Sequence, residues 1–340
     1  MIHVSSAPVE SDTWQTLLAH SITAPAALLD LLQLDHALLD PATAAAHDFP
    51  LRVPRPYIDR MRRGDPHDPL LRQVLPIGEE LLDQPGYVTD PLGEQHANAR
   101  PGIIHKYKGR LLLVVSAGCA VNCRYCFRRH FPYDDNNLST AEWKDALDYI
   151  RADISIHEVI YSGGDPLAAN DRRLAWLTRE LASISHVARL RVHTRLPVVI
   201  PQRVTSELIE ALCGTRLPVT MVLHCNHANE LDASLSQAVR TLRSAGMMVL
   251  NQAVLLRGVN DRLEDQIALS ERLADNGIMP YYLHILDHVK GARHFLVEDH
   301  EAIKLVGQML TRLPGFLVPR LVREVAGERS KVPLLVQPVD

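Results

Sequence analysis

The stretch Ser116-Ala-Gly-Cys119-Ala-Val-Asn-Cys123-Arg-Tyr-Cys126-Phe-Arg-Arg129 contains three of the five cysteines of the chain. Their spacing is C-x3-C-x2-C, and they directly follow the apolar run Leu111–Val115. Three thiolates on one short loop can hold a soft metal ion or an iron–sulfur cluster. The stretch therefore predicts a metal centre at the end of a strand.

The kind of metal centre follows from the number of cysteines. A closed structural zinc site uses four protein ligands, usually as two separated pairs. The remaining cysteines, Cys213 and Cys225, are single and lie in apolar segments. Three cysteines can instead hold a [4Fe-4S] cluster and leave one iron open to another ligand. The pattern favours such a cluster, with a structural zinc ion or a redox thiol as the alternative.

Composition excludes several classes of protein. The chain has 340 residues, 46% of them hydrophobic and 22% charged, which is enough for an ordinary core. Its net charge of −4, from 36 basic and 40 acidic residues, gives no reason to expect a nucleic-acid partner. Neither a secretory signal nor a long apolar run is visible, so we expect no membrane span. Clustered thiols that must stay reduced favour the cytoplasm.

Candidate strands and helices alternate through the middle of the chain. Strands are predicted at 111–116, 159–162, 190–194, 219–224, 248–254 and 281–286. Helices are predicted between them, at 141–152, 172–183, 206–212, 232–245 and 263–276. This alternation predicts a parallel sheet, and the length favours a partial barrel over a doubly wound sheet. The carboxyl ends of its strands would share one face with the residues that follow them: Cys119, Gly163, Arg195, His224, Gln252 and Asp287.

The chain divides into three regions on this reading. Residues 1–105 form a helical, proline-rich N-terminal region, and residues 106–290 form the partial barrel. Residues 291–340 form a C-terminal segment with a helix at 298–313 and strands at 316–324 and 332–339. The turn Gly327-Glu-Arg-Ser-Lys331 joins these two strands.

The cysteine loop, with Tyr125 before its last cysteine, resembles the loop of the radical S-adenosylmethionine (SAM) enzymes. More narrowly, the chain is similar to the lysine 2,3-aminomutase family from about residue 50 to about residue 335. The motifs that carry the similarity are Cys123-Arg-Tyr-Cys-Phe-Arg-Arg129, Tyr161-Ser-Gly-Gly-Asp-Pro-Leu167, Thr194-Arg-Leu-Pro-Val-Val-Ile-Pro-Gln-Arg203, His224-Cys-Asn-His-Ala-Asn-Glu230, Asn251-Gln-Ala-Val-Leu-Leu-Arg-Gly-Val-Asn-Asp261 and Pro280-Tyr-Tyr-Leu-His284.

The resemblance implies an α/β fold, a partial (β/α)6 TIM-like barrel with a helical N-terminal extension and a short C-terminal segment. It implies an isomerase that converts L-lysine to β-lysine through a 5′-deoxyadenosyl radical. The implied cofactors are a [4Fe-4S] cluster, SAM and pyridoxal 5′-phosphate (PLP). Two alternatives stay open: a radical SAM enzyme without PLP, and a non-catalytic iron–sulfur or zinc sensor.

The resemblance also assigns cofactor residues. The cluster ligands are Cys119, Cys123 and Cys126, and the catalytic residue is Lys331, which forms a Schiff base with PLP in the family. The residues implied for SAM are Tyr125, Gly163, Gly164, Asp165, His224 and Gln252. Those implied for PLP beside Lys331 are Lys106, Arg110 and His284. Lys106 is usually arginine in the family and His284 is usually tyrosine.

Substrate residues are implied in the same way. Arg128 matches the arginine that holds the α-carboxylate of lysine, and a guanidinium suits that role because it binds carboxylates bidentately. Asp287 and Glu324 match two aspartates that hold the ε-ammonium. An acidic pair selects a cationic side chain. Glutamate at position 324 adds one methylene and would shift the bound substrate.

Ordinary structural explanations exist for several of these residues. Ser162–Pro166 can be a strand-ending turn, and Lys331 can be a solvated loop tip. His224 and His227 are spaced like a metal pair, although a strand end does not make them converge.

The finer expectations rest on resemblance to the short branch of the family. That branch supplies (R)-β-lysine for modification of translation elongation factor P. The substrate would be free L-lysine, with a reduced flavodoxin or ferredoxin as electron donor. The sequence ends nine residues after Lys331, so we expect no large family oligomer, and a monomer and a dimer both stay open.

Overall fold

The computed structural model describes residues 13–136 and 138–339. Their centre is a ten-stranded sheet in which strand order follows chain order. The strands are β1 Asn98–Arg100, β2 Ile103–Tyr107, β3 Arg110–Ser116, β4 Glu158–Gly163, β5 Arg189–Thr194, β6 Val219–His224, β7 Met248–Val254, β8 Met279–His284, β9 Arg320–Arg323 and β10 Val332–Pro333.

Strands β3 to β9 are parallel, and each pairs with its neighbour in sequence. A doubly wound sheet would reverse its strand order at a switch point, whereas sequential order is that of a barrel. The antiparallel pairs β1–β2, β2–β3 and β9–β10 lie at the two ends of the sheet. The sheet ends at β1 and β10 without closing, so the predicted partial barrel is confirmed.

Helices connect the parallel strands and cover the outer face of the sheet. The described part of the chain begins with α1 Trp14–Ala19, α2 Pro25–Leu32, α3 Leu39–Asp48, α4 Arg55–Ile58 and α5 Glu94–Ala97, which precede the sheet. The helices between the parallel strands are α6 Thr140–Ala152, α7 Asp171–Ser183, α8 Leu196–Val199, α9 Ser206–Cys213, α10 Ala233–Ser244, α11 Leu263–Asp275 and α12 Asp299–Arg312. Within the described part of the chain, no helix combines the length and apolar character needed to cross a bilayer.

Strand β4 shows how the sheet separates core from cavity. Side chains alternate between the two faces of a strand. Val159 and Tyr161 are fully buried in the core that includes Leu177 of α7, whereas Ile160 and Ser162 line a central cavity. The outer face therefore stabilises the barrel, and the inner face is left for a ligand.

Two parts of the predicted secondary structure were wrong. The N-terminal region is not only helical, because β1 lies within it and β2 crosses its predicted end at residue 105. Gly102 and Gly109, with φ of +76° and +80°, make the turns that precede and follow β2. At the other end, the predicted strand 316–324 is reduced to β9, and the predicted strand 332–339 to β10. Proline interrupts both, since it cannot donate to a strand partner.

Candidate active site

A cavity of about 790 Å³ occupies the inside of the partial barrel. Its walls are the inner face of the sheet, the loop after β3, the turn after β4 and the β9–β10 hairpin. Every residue that the sequence analysis assigned to a cofactor or the substrate lines it: Lys106, Arg110, Cys119, Cys123, Tyr125, Cys126, Arg128, Gly163, Gly164, Asp165, His224, Gln252, His284, Asp287, Glu324 and Lys331.

The three loop cysteines are free thiols that are partly exposed to this cavity. No three His, Cys, Asp or Glu side chains among residues 13–136 and 138–339 are placed to hold one metal ion. A [4Fe-4S] cluster makes a different demand, since each thiolate binds its own iron. The thiols fit a cluster held by three cysteines, and Cys213 and Cys225 lie outside the cavity.

Arg195, which follows β5, reaches the cysteine loop from across the barrel. Its Nη1 donates to Sγ of Cys123 at 2.8 Å and also to the Tyr125 hydroxyl. Its Nη2 donates to Glu230 at 3.0 Å and to Gln73 at 2.7 Å. The sequence analysis placed Arg195 at a strand end without a role. A buried cation that donates to a ligand sulfur stabilises the negative charge of a reduced cluster.

The N-terminal region anchors the cysteine loop through Glu80. The buried Arg124 donates to both oxygens of Glu80, at 2.8 and 2.6 Å, and Arg129 donates to the same carboxylate at 2.9 Å. Arg124 also donates to the Phe49 carbonyl at 2.7 Å. No motif marked Glu80, because its partners lie more than forty residues away. The proline-rich segment therefore forms part of the site.

Gly163 and Gly164 allow β4 to meet the cysteine loop. A Cβ at Gly163 would lie 2.5 Å from the Ser116 carbonyl oxygen, and one at Gly164 would lie 2.6 Å from that of Ala117. The Gly164 N–H donates to the Ser116 carbonyl at 2.8 Å. These glycines therefore let the turn after β4 pack against the backbone of the cysteine loop, which fixes the loop. A contact between them and SAM stays a prediction.

Asp165 lies in the same turn, and protein donors occupy its carboxylate. Oδ1 accepts from Thr194 Oγ1 at 2.6 Å and from the Leu167 N–H at 3.0 Å. Oδ2 accepts from the N–H groups of Arg195 and Leu196, both at 2.8 Å. These contacts join the turns after β4 and β5. A contact between Asp165 and SAM stays a prediction.

Lys331 faces the cavity rather than solvent. In the β9–β10 hairpin Val332 pairs with Arg323, and the same register places Lys331 opposite Glu324. Lys331 Nζ lies 2.5 Å from Glu324 Oε2, and Lys106 Nζ lies 3.0 Å from Glu324 Oε1. Burial opposes ionisation of Glu324, but Lys331 and Lys106 outweigh it and hold its pKa well below the usual range. Because the amine of Lys331 points into the cavity, Lys331 is not the solvated loop tip that the sequence also allowed.

Asp287 follows β8 and is electrostatically coupled to Glu324. Burial, and then the negative charge of Glu324, raise the pKa of Asp287 to about 7, against the opposing effect of Lys331 and Lys106. Two carboxyl groups near each other attract a cation, which would favour ionisation of both. This end of the cavity therefore suits an ammonium group.

Arg128 is paired with a residue that the sequence analysis missed. Its Nε and Nη2 donate to Glu94 of α5 at 2.6 and 2.9 Å. Its Nη1 donates to Ser162 Oγ at 3.0 Å and lies 3.4 Å from the Gly163 carbonyl. Glu94 belongs to a four-residue helix outside the predicted barrel, and no local signal indicated it.

The cavity histidines are neutral. His224 Nε2 lies 3.1 Å from the Tyr125 hydroxyl, and burial lowers the pKa of His224 to about 3. His227 faces elsewhere, since its Nδ1 accepts from the Asn229 N–H at 3.1 Å, so the two histidines do not form a metal pair. His284 Nε2 is buried without a partner.

The part of the cavity wall formed by Lys331, His284, Arg110 and Lys106 fits a group with an aldehyde and a phosphate. An amine faces the cavity at Lys331, and a buried ring nitrogen lacks a partner at His284. Arg110 stacks on the Tyr107 ring at 4.5 Å and lines the cavity, as does Lys106. An amine, a polar ring atom and two cations match the chemistry of PLP.

Comparison with known proteins identifies the family. The profile of the Radical SAM superfamily matches residues 113–269. The chain is 50% identical over 339 residues to the L-lysine 2,3-aminomutase of Escherichia coli K12, covering 99% of each chain. It is also 50% identical over 322 residues to that of Haemophilus influenzae, covering 95% of each chain, and 34% identical over 280 residues to that of Clostridium subterminale, covering 82% of this chain and 67% of the relative.

The resemblance drawn from the motifs is thus confirmed over nearly the whole chain. The family uses a [4Fe-4S] cluster, SAM and PLP, and its members are isomerases. The chain belongs to the lysine 2,3-aminomutase family of radical SAM enzymes.

Proposed function

We propose that this protein converts free L-lysine to β-lysine with PLP bound covalently to Lys331. The observation that carries the proposal is the inward amine of Lys331 on the same cavity as Cys119, Cys123 and Cys126. Covalent capture of an amino acid needs such an amine, and radical chemistry needs the substrate close to the cluster.

The substrate is held at both ends by charged groups. Arg128 binds the α-carboxylate, and Asp287 with Glu324 binds the ε-ammonium. Support comes from the positions of these groups on one cavity and from the electrostatic coupling of Asp287 to Glu324. A neutral or acidic side chain would bring no positive charge to the buried Asp287, whose ionisation is unfavourable without one.

The cofactors supply what side chains cannot. When bound, the cluster and SAM supply hydrogen abstraction at C3, and PLP supplies the carbonyl that holds the migrating nitrogen. The protein orients the substrate between Arg128 and Glu324 and excludes water from the buried cavity. His224 and His284, which burial keeps neutral, contribute hydrogen bonds without adding charge.

We extend the proposal to the pathway on the strength of the resemblance to the short branch. The product is (R)-β-lysine for modification of elongation factor P, and reduced flavodoxin or ferredoxin delivers the electron in the cytoplasm. Glu324 in place of aspartate supports a substrate position different from that of the longer relatives. We infer three regions, 1–105, 106–290 and 291–340, with residues 1–12 outside the described structure.

Two measurements test the proposal. Borohydride reduction of the PLP-loaded protein, followed by peptide mapping, should label Lys331. Anaerobic incubation with SAM, dithionite and free L-lysine, followed by chiral chromatography, should yield (R)-β-lysine. A label elsewhere refutes the assignment of Lys331, and recovery of unchanged lysine refutes the activity. The (S) product would refute only the link to elongation factor P.

A further inference from the structure

Five of the charged groups that line the cavity form one chain of alternating sign. It runs from Arg128 to Glu94, Lys106, Glu324 and Lys331. The successive N–O distances are 2.6, 3.1, 3.0 and 2.5 Å. The chain therefore connects the group proposed for the substrate carboxylate with the group proposed for its ammonium.

Glu94 is the member of this chain to which nothing in the reaction assigns a role. Its side chain is 4% exposed, although it lies in a short helix before the sheet. It accepts from two nitrogens of Arg128 and from Lys106. A buried carboxylate outside the barrel is energetically costly, because burial of a charge is unfavourable unless the charge is well paired.

The contact with Glu94 determines which edge of Arg128 has no carboxylate partner among the described residues. A guanidinium has two edges that can each bind a carboxylate, one formed by Nε with Nη2 and the other by Nη1 with Nη2. Glu94 occupies the first edge. On the second edge, Nη1 contacts the neutral Ser162 hydroxyl and Gly163 carbonyl in the cavity wall. A substrate carboxylate can therefore bind Arg128 only at its Nη1 end, where it would share or replace these neutral contacts.

Glu94 also separates two cations. Without its charge, Arg128 would lose its carboxylate partner and Lys106 would keep only Glu324, and like charges in a poorly solvated site repel. Arg128 would then be held only through Nη1, and the distance between the two substrate-binding ends would be less well fixed.

We propose that Glu94 is a positioning residue that clamps one edge of Arg128 and so presents the other edge to the carboxylate of the substrate. Through Lys106 it also fixes Arg128 relative to Glu324. It thereby sets the length of amino acid that the cavity accepts. This inference rests on the proposed function, in which Arg128 binds the carboxylate of lysine.

The experiment compares a ligand that has the carboxylate with one that lacks it. Steady-state kinetics of the reconstituted holoenzyme give KM and kcat for L-lysine, and competition gives the inhibition constant of L-lysinamide. Glu94→Gln should raise KM for L-lysine about tenfold, since a charge-assisted bidentate contact is lost. It should change the inhibition constant of L-lysinamide by less than about twofold, because lysinamide makes no carboxylate contact.

Two further variants make the result decisive. Glu94→Asp keeps the charge but withdraws the clamp by one methylene, and the same comparison is read from it if Glu94→Gln does not fold. Glu264→Gln, at an exposed position of α11, is the matched control and should change neither constant.

Either of two results would overturn the proposal. One is wild-type values for both ligands in both Glu94 variants. The other is an equal loss for lysine and lysinamide, which would show that Glu94 acts on the site as a whole. A wild-type enzyme that converts no lysine would instead refute the proposed function, and labelling of Lys331 by borohydride separates that failure from a defect in loading.

Discussion

Nη1 of Arg195 lies 2.8 Å from Sγ of Cys123, so a buried guanidinium donates to one of the three thiols predicted to hold the cluster. Arg195 is fixed by four other side chains, those of Tyr57, Gln73, Tyr125 and Glu230. The contact is therefore part of a rigid network.

Replacement of Arg195 should change the reduction potential of the cluster. A cationic donor stabilises the more negative, reduced cluster, so Arg195→Gln should make the potential more negative. A redox titration followed by electron paramagnetic resonance measures this. Arg203→Gln is the control, because Arg203 is also buried but pairs with Asp171 away from the cysteines. The reduction potential of the cluster in this variant should match that of the wild type. Equal potentials for all three proteins would contradict the role of Arg195.

Affinity for lysine should depend on the ionisation of Asp287. The ε-ammonium stays charged up to about pH 10, so it binds best when Asp287 is ionised. Burial raises the pKa of Asp287 to about 7. Affinity should therefore be full above this pH and fall below it, and KM should rise roughly tenfold from about pH 8 to about pH 6. Asp287→Asn should remove this dependence, and a wild-type KM that is flat across this range would be inconsistent with an ammonium contact.

A methyl group at position 164 should disturb the cysteine loop. Gly164→Ala would bring a Cβ within 2.7 Å of two carbonyl oxygens, those of Ala117 and Gly118. We expect a loss of about 2–3 kcal/mol in the free energy of unfolding, since neither backbone segment can move freely. Gly315→Ala is the matched control, because a Cβ there meets nothing within 4 Å. Urea denaturation of both variants checks the difference, and similar values would mean that the turn can relax.

Removal of the Glu80 charge should loosen the loop from the N-terminal region. Glu80→Gln leaves the buried Arg124 and Arg129 without a counter-charge, which should cost about 3–5 kcal/mol. The iron content of this variant after reconstitution should also fall. Asp148→Asn breaks an exposed pair with Arg151 and should cost no more than about 1 kcal/mol. Denaturant titrations and iron analysis that fail to distinguish the two variants would exclude Glu80 as the anchor.

Much of the barrel was predictable because its signals are local. The predicted limits of β6 and β7 agree with the structure, since β6 is a largely apolar run that ends at His224 and β7 begins shortly after Gly246. The short strands β1 and β2 were missed because they have few residues and depend on a tight turn at Gly102. Their stability comes from pairing with β3, which a local pattern does not contain.

The residues of the site also differ in whether a local sequence signal marks them. The cysteines and Gly163 lie in motifs, and Lys331 was assigned by resemblance to the family, so their place on the cavity could be predicted. Glu94 and Glu80 could not, because each acts through an arginine that lies 34 or more positions further along the chain. Burial of a carboxylate is a property of the folded chain, and acidic residues in a proline-rich segment are ordinarily solvated.

The hairpin that carries Glu324 and Lys331 joins the barrel where β9 pairs with β8, and none of the three loop cysteines lies in it. On the proposed function, the attachment of PLP and one carboxylate of the ammonium site are thus encoded apart from the loop that handles electrons. An engineer who wishes to change the substrate side chain that is accepted can vary Glu324 and leave the cysteine loop untouched.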